Sequence, residues 1–222
     1  MTVLLSDERI TRIPAIESGE PLVDLSTRDI STPDRQFARE GVAERLALAD
    51  TFLPAGIRLH VVEGLRPIES QQDIYDGYRA ELERLHPGIS DHEVHVLASR
   101  FVSPVGVAPH VAGAAVDLTL IGAHGPLDLG TPIDATPEQS NGACFFAAAT
   151  ISREARTNRS LLADVLSAAG LVNYPTEWWH WSYGDRYWAY LEDRPAALYG
   201  PVSSPFGVGA TTHGARPDRV TT

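Results

Sequence analysis

Cysteine is almost absent from this sequence, because Cys144 is the only one among 222 residues. An internal disulfide is therefore excluded, and so is a zinc cluster built from several thiolates. Its neighbours Ala143, Phe145 and Phe146 are apolar. This context predicts a buried and unreactive thiol rather than a nucleophile.

Basic charge and long apolar runs are also missing. The formal net charge is −11, so we expect no nucleic-acid partner, which would require a basic patch. No stretch approaches the roughly 18 uninterrupted apolar residues of a membrane span. The first residues do not combine a basic region with an apolar stretch, as a secretory signal peptide does. These features predict a cytoplasmic protein without a membrane partner; no sequence feature sets an oligomeric state.

Other common catalytic patterns lack support. The sequence has no glycine-rich loop of the phosphate- or dinucleotide-binding type. Ser103 has no convincing base partner for a serine-hydrolase triad. His92 and His95 lie one helical turn apart, but no third metal ligand accompanies them.

The size and composition indicate one domain with a substantial core. The chain is 43% hydrophobic and 21% charged, which is typical of a globular protein. We assign the domain to residues 1–202 and predict that residues 203–222 form a flexible tail. That tail is rich in Gly, Pro, Ser and Thr, and its His213 is expected to be solvated.

Helical and strand patterns alternate along the domain. Capping residues and apolar periodicity predict helices over about 33–52, 68–85, 90–101 and 153–169. Strand patterns fall at Arg58–Glu63, Ala114–Ile121 and Trp178–Tyr183. Because these strands need not be parallel, the expected class is α+β, a single domain with a mainly antiparallel central sheet packed with helices.

Two short segments carry the residues of a catalytic zinc site. His110 and Asp117 lie seven positions apart, and Glu177 and His180 follow about sixty positions later. A catalytic zinc needs about three protein ligands and a nearby carboxylate that accepts a proton from water. His110, Asp117 and His180 suit the ligands, which leaves Glu177 as the base. Taken alone, His110 also fits a loop histidine bonded to backbone.

The second segment predicts a local irregularity. Glu177 and His180 are three positions apart, so on a regular strand they would point to opposite faces. They converge only if Glu177 lies in the turn after Pro175 and Thr176, or in a bulge at the start of the strand. The alternative interpretation is an aromatic structural strand with incidental charges.

Arg66 follows a predicted strand, at a place where loops often carry function. Its guanidinium is suited to stabilising an oxyanion that develops during attack on a carbonyl. The alternative is a surface ion pair with Glu63 or Glu69.

Three motifs in this chain resemble those of the zinc D-Ala-D-Ala dipeptidases of the VanX type. These belong to the M15 peptidase family, which shares its fold with D,D-carboxypeptidases and the hedgehog signalling domain. The family motifs are S-x-H-x-x-G-x-A-x-D, E-x-W-H and G-Y-R-P, and the resemblance covers roughly residues 20 to 195. The matching positions are His110, Gly113, Ala115 and Asp117; Glu177, Trp179 and His180; and Gly64, Arg66 and Pro67.

The resemblance implies a zinc-dependent dipeptidase that acts on D-Ala-D-Ala or a related small dipeptide. His110, Asp117 and His180 would bind Zn²⁺, and Glu177 would be the general base. The resemblance also implies an aspartate that holds the ammonium of the substrate. Asp134 is the best positional match for it, and Asp128 is the rival.

The clearest departure from the family pattern is Ala108, which replaces the motif serine. The metal ligands are unaffected, whereas one side of the pocket lacks a hydroxyl. Two alternative functions stay open at this point. One is a D,D- or L,D-carboxypeptidase on peptidoglycan peptides, and the other is a hedgehog-like domain that binds zinc without turnover.

Overall fold

The computed structural model describes residues 2–202. The α-helices are α1 (Glu8–Thr11), α2 (Glu40–Thr51), α3 (Ile68–Leu85), α4 (Asp91–Ala98), α5 (Arg153–Ala168) and α6 (Arg186–Leu191). The strands are β1 (Leu22–Asp24), β2 (Phe37–Arg39), β3 (Arg58–Glu63), β4 (Ala115–Gly122), β5 (Gly125–Pro126), β6 (Val172–Asn173) and β7 (His180–Ser182). None of the helices within this range is both long and apolar enough to cross a bilayer.

The central sheet is antiparallel and has the order β3-β4-β7-β6, with β5 also paired to β4. A separate antiparallel ribbon joins β1 to β2. The predicted class, α+β with a mainly antiparallel sheet, is therefore confirmed. The longest strand, β4, runs between β3 and β7 and positions residues from both neighbours beside its own side chains.

The main core lies between the sheet and the helices α2 and α5. On β4 the apolar side chains of Val116, Leu118 and Leu120 are fully buried in this core. Because side chains alternate along a strand, Asp117 and Thr119 lie on the opposite face. The same alternation therefore places a hydrophobic core on one side of β4 and polar groups on the other.

Helix ends follow the capping signals in the sequence. The hydroxyl of Ser90 accepts a hydrogen bond from the Glu93 N–H, and the Glu93 carboxylate accepts one from the Ser90 N–H. This capping box begins α4. Ser152 caps α5 by accepting from the Ala155 N–H. The predicted helix at 68–85 has the bounds of α3.

The helix predicted over 33–52 is wrong in its first part. Residues Phe37–Arg39 form β2, and the helix begins only at Glu40. The backbone of this stretch bonds to distant segments instead: the Phe37 carbonyl accepts from Leu65 N–H, and Arg39 N–H donates to the Gly113 carbonyl. These long-range bonds outweigh the local helical preference.

Two other boundaries differ from the sequence prediction. The predicted third helix reached Phe101, whereas α4 ends at Ala98. The predicted strand over Trp178–Tyr183 is limited to β7, because Trp178 and Trp179 lie in a turn. The tail predicted for residues 203–222, with His213, lies outside the described residues and stays a prediction.

Candidate metal centre

Three predicted ligands converge on the polar face of the sheet. Asp117 on β4 is the cross-strand partner of His180 on β7, and His110 lies in a single 3₁₀ turn before β4. The His180 Nδ1 lies 3.1 Å from Asp117 Oδ1, and the His110 Nε2 lies 3.3 Å from the same oxygen. Strand pairing therefore brings residues about sixty positions apart to one point.

A tight turn at Gly113 carries His110 to this point. Gly113 has φ of 65°, a left-handed conformation that glycine adopts without steric cost. A Cβ there would lie 2.6 Å from Leu22 Cδ2. The turn between His110 and β4 therefore requires the glycine that the motif contains.

A hydrogen bond at the ring nitrogen away from Asp117 fixes the orientation of the His110 ring. Its Nδ1 lies 2.7 Å from the Gly64 carbonyl oxygen, which can only accept, so Nδ1 carries the proton. This leaves the lone pair of Nε2 facing Asp117 and His180. Such a backbone bond to the far nitrogen is a common support for a metal-binding histidine.

The three side chains form an electrostatically coupled group. Burial acts to raise the pKa of Asp117, but His110 and His180 outweigh it and hold that pKa well below its usual range. Burial acts to lower the pKa of His110, and the Asp117 carboxylate overcomes it and raises the pKa. For His180 burial prevails, and its pKa is lowered. A carboxylate therefore persists here at neutral pH.

The donor set fits a zinc ion. The ligand atoms of His110, Asp117 and His180 lie within 4.8 Å of one another, and all three residues are buried. Two imidazoles and one carboxylate leave a fourth position open, as a catalytic zinc requires. The same side chains would hold Zn²⁺ through His110 Nε2, His180 Nδ1 and an Asp117 oxygen.

Glu177 lies beside this group in an irregular turn, as the spacing predicted. The turn between β6 and β7 is closed by Glu177 N–H, which donates to the Tyr174 carbonyl at 2.9 Å. The Asn173 amide clamps it by donating to the carbonyls of Glu177 and His180. One Glu177 carboxylate oxygen therefore lies 3.6 Å from His180 Nδ1.

The environment of Glu177 favours its protonated form. Burial comes first, and the nearby carboxylates of Asp117 and Asp134 add to it, so the pKa of Glu177 is raised well above its usual value. A divalent cation at the three ligands would counter this shift, because it favours the charged carboxylate. With a metal at these ligands, the Glu177 carboxylate would be charged and able to accept a proton.

Arg66 lines the same cavity and is not a surface residue, since its side chain is 13% exposed. The proposed ion pair with Glu63 does form: Nε donates to Glu63 Oε1 at 2.7 Å, and Nη2 donates to Oε2. Nη1 donates to Gln71 at 2.8 Å. Burial acts to lower the pKa of Arg66, and Glu63 outweighs it and raises that pKa.

Asp134 and Asp128 occupy different places. Asp134 lines the cavity, and burial, reinforced by Asp117, raises its pKa to about 6. Its φ of 64° is a left-handed conformation that is uncommon outside glycine. Asp128 instead accepts from the Gly130 N–H and from the Ser152 hydroxyl, in an exposed loop. Of the two aspartates, only Asp134 lines the cavity.

The cavity has a volume of about 240 Å³. Ala108, Pro109 and Ser103 also line it, so the position of the missing motif serine does face this space. Ile74 is 42% exposed and lies at its rim. The predicted ligands, Glu177, Arg66 and Asp134 therefore share one small cavity.

Sequence reasoning missed two residues that support Arg66. Glu63 pairs with Asp117 across β3 and β4 after an irregularity in the register at Val61, and its side chain turns toward Arg66. Gln71, on the first turns of α3, is 2% exposed and joins Arg66 to the Ser103 carbonyl. The sequence indicates Glu63 only as the partner of a surface ion pair, and an isolated glutamine on a helix carries no functional signal in the sequence.

Residues outside the predicted site behave as ordinary structural groups. Cys144 is buried, and burial raises the pKa of its thiol, as expected of an unreactive cysteine. The His95 Nδ1 lies 2.7 Å from the Tyr75 hydroxyl. Within residues 2–202, His110, Asp117 and His180 are the group of side chains placed closely enough to hold a metal ion.

Comparison with known proteins adds to this geometry. The chain is 28% identical to a D-alanyl-D-alanine dipeptidase of Synechocystis sp. over 236 residues, which covers 86% of this chain and 95% of the relative. It is 31% identical over 136 residues to the D-alanyl-D-alanine dipeptidase of Escherichia coli, covering 60% of this chain and 62% of the relative.

Two solved structures are similar to the fold. One is a mutant of the vancomycin resistance D,D-pentapeptidase VanY with Zn(II), at a TM-score of 0.47, 16% identity and coverage of 84% and 96% of the two chains. The other is VanYB in complex with D-alanine-D-alanine, at a TM-score of 0.49, 18% identity and coverage of 85% and 94%.

The family profile of the D-Ala-D-Ala dipeptidases, peptidase family M15, matches residues 24–196. This span includes both halves of the candidate metal centre as well as Arg66 and Asp134. The resemblance inferred from the three motifs is thereby confirmed, and the chain belongs to the M15 peptidase family of zinc-dependent D-Ala-D-Ala dipeptidases.

Proposed function

We propose that this chain hydrolyses D-Ala-D-Ala or a related small dipeptide at the centre formed by His110, Asp117 and His180. The observation that carries the proposal is the presence of these ligands, Glu177, Arg66 and Asp134 around one cavity. Each of the four elements of dipeptide hydrolysis then has a residue: metal binding, proton transfer, charge stabilisation and recognition of the substrate's ammonium.

Glu177 is the proposed general base. Bound zinc would supply Lewis-acid activation of water and of the scissile carbonyl. The Glu177 carboxylate, 3.6 Å from His180 Nδ1, is close enough to the metal ligands to accept the proton released by the attacking water. It can then pass that proton to the departing amine. Burial and the nearby carboxylates of Asp117 and Asp134 raise the pKa of Glu177, which makes its carboxylate a stronger base than that of an exposed glutamate.

Arg66 is the proposed oxyanion stabiliser. A guanidinium has five N–H donors. Three of them are used by Glu63 and Gln71, which leaves two for a substrate in the cavity. The bidentate pair with Glu63 fixes the orientation of the Arg66 guanidinium. Its two remaining donors therefore need little reorganisation when negative charge develops on the substrate's carbonyl oxygen.

Asp134 is the proposed anchor of the substrate's ammonium. A buried carboxylate stabilises a cation and leaves an uncharged amide unsatisfied, so a longer or acylated peptide would bind poorly. The cavity of about 240 Å³ supports the same limit, because sites for drug-sized ligands span roughly 300–1,000 Å³. Both features favour a dipeptide over the peptide chains of a polymer.

Hydrolysis assays combined with metal analysis test the proposal. The purified protein is assayed on D-Ala-D-Ala, L-Ala-L-Ala and N-acetyl-D-Ala-D-Ala, and its zinc content is measured on the same sample. We expect about one zinc per chain, rapid cleavage of D-Ala-D-Ala and slow cleavage of the acetylated substrate. Equal rates on the free and acetylated dipeptides would favour a carboxypeptidase, and zinc binding without any turnover would favour a binding domain.

We also propose that the enzyme works in the cytoplasm on dipeptides related to the cell wall. A cavity suited to a small diffusible dipeptide supports this role. Fractionation of cells that express the protein at its natural level, with the dipeptidase activity measured in each fraction, tests it. Activity confined to the cell exterior would contradict the proposed location.

A further inference from the structure

Of the described residues that precede β1, one lines the catalytic cavity. Leu5 lines the cavity together with the metal ligand His180 and is 2% exposed. The family match begins at residue 24, so Leu5 belongs to a part of the chain that the family profile does not cover. The cavity wall is therefore completed by a residue outside the span that matches the family profile.

Tyr174 connects Leu5 to the metal centre. Its hydroxyl accepts from the Leu5 N–H at 3.3 Å and donates to the Ser99 carbonyl at 2.6 Å. Its ring packs edge-on against His180, with the ring centroids 6.0 Å apart. The position of Leu5 is thus fixed relative to a metal ligand and to the end of α4.

The segment that carries Leu5 is firmly held. Ile10, on α1, is fully buried and shares an apolar cluster with Leu5, Tyr174 and Tyr187. Further along, Ile16 N–H donates to the Ala197 carbonyl at 2.9 Å. Leu5 is therefore a fixed wall of the cavity, in contrast to Ile74 at the exposed rim, and a substrate cannot displace it without breaking this packing.

We propose that Leu5 limits the size of the substrate side chain that the catalytic cavity accepts, and so acts as a specificity-determining residue. The inference rests on the proposed dipeptidase function. A buried leucine offers an apolar contact to a methyl group and leaves no room for a larger substituent on that side. Apolar pockets discriminate by roughly 10–200-fold for each methylene added or removed, so one wall residue is enough to select a substrate.

Substitution of Leu5 tests the inference with matched substrates. Leu5→Ala removes three carbon atoms from the wall, and replacing one D-Ala of the substrate by D-Leu adds three. The test measures kcat/KM for D-Leu-D-Ala and D-Ala-D-Leu, each relative to D-Ala-D-Ala. We expect Leu5→Ala to raise one of these two ratios about 10-fold or more, and Leu5→Phe to raise the KM for D-Ala-D-Ala.

Ile10→Ala is the matched control, because Ile10 lies in the same segment and apolar cluster but does not line the cavity. It should leave both ratios unchanged. Unchanged ratios in Leu5→Ala, or an equal change in Ile10→Ala, would overturn the inference. If Leu5→Ala does not fold, Leu5→Val removes one methylene from the wall, and a substrate in which D-2-aminobutyrate replaces one D-Ala adds one methylene. A kcat/KM for this substrate, relative to D-Ala-D-Ala, that does not rise in Leu5→Val would likewise overturn the inference.

Affinity measurements separate this inference from the proposed function. Calorimetry on the zinc-loaded protein measures the dissociation constants of the same dipeptides. Their ratios to the dissociation constant of D-Ala-D-Ala are compared between the unaltered protein and Leu5→Ala. If the unaltered protein binds these dipeptides but cleaves none, the proposed hydrolysis fails while the affinity ratios still decide the role of Leu5. If D-Ala-D-Ala is cleaved and the ratios do not change, only the inference about Leu5 fails.

Discussion

The two sides of the catalytic cavity are built in different ways. On the metal side, His110, Asp117, Glu177 and His180 come from two short segments joined by the pairing of β4 and β7. On the substrate side, the groups come from separate parts of the chain: Leu5 from the first residues, Arg66 from the β3–α3 turn, and Asp134 from the long loop after β5. The metal side rests on sheet register and the substrate side on loop packing.

This difference separates chemistry from specificity. A hydrogen-bonded sheet places ligands reproducibly, so a common motif suffices to define the metal centre. Loops vary more freely between relatives, so the residues that contact the substrate change with less effect on the scaffold. Ala108, at the position of the motif serine, and Leu5, outside the family match, both line the cavity away from the sheet register that holds the metal side.

The largest effect is expected from the metal side. His110→Ala or His180→Ala should abolish zinc binding and all zinc-dependent turnover, because two remaining ligands rarely hold a catalytic metal. Metal analysis after dialysis, together with the D-Ala-D-Ala assay, measures both losses. His92→Ala is the control, since His92 is exposed and outside the site. Full zinc occupancy in both ligand variants would refute the assignment.

Glu177→Gln should separate chemistry from metal binding on the same side. The amide cannot accept a proton, so we expect kcat to fall about 10²–10⁴-fold while the zinc content stays unchanged. Glu69→Gln, at an exposed position on α3, is the control. If Glu177→Gln loses zinc while Asp117→Asn keeps it, the roles of the two carboxylates must be exchanged.

Arg66 lies on the substrate side, but its removal should act mainly on the transition state. Arg66→Ala is expected to lower kcat about 10²–10³-fold with a smaller rise in KM. Arg66→Lys keeps the charge but not the bidentate fork, so it should recover only part of this loss. Glu63→Gln should give a milder decrease in kcat, since it loosens the orientation of Arg66. A change in KM alone would place Arg66 in substrate binding instead.

The smallest effect is expected from Asp134, as a pH dependence of KM. Its pKa of about 6 means that it is charged at neutral pH and becomes neutral as the pH falls through 6. A neutral carboxyl binds an ammonium weakly, so KM for D-Ala-D-Ala should rise below pH 6. Asp134→Asn should have a high KM that no longer varies over this range, whereas Asp128→Asn should retain the profile of the unaltered enzyme. An unchanged profile in Asp134→Asn would exclude it as the anchor.

The same contrast explains what the sequence predicted. The bounds of α3 followed from the local signals of residues 68–85, their apolar periodicity and the residues at their ends. The irregular turn at Glu177 followed from the spacing of two side chains that had to meet. In both cases the controlling interactions lie within a few residues of each other.

Features that depend on distant contacts were not predicted. The predicted start of α2 lies several residues too early. The backbone bonds of Phe37 with Leu65 and of Arg39 with Gly113 leave no local signal in the sequence. The support of Arg66 by Gln71 depends on how α3 packs beside the β3–α3 turn. The contact of Leu5 with the cavity likewise depends on the Tyr174 hydroxyl, 169 positions away in the sequence.

Zinc titration tests the central claim, that one metal held by His110, Asp117 and His180 supports D-Ala-D-Ala hydrolysis, most directly. Metal-free protein is prepared with a chelator, Zn²⁺ is added in steps, and the initial rate of D-Ala-D-Ala cleavage is measured at each step. The rate should rise linearly and level off at about one equivalent per chain, as expected for one three-ligand site. A full rate of cleavage in the metal-free protein, or a rate that does not rise as zinc is added, would contradict the account.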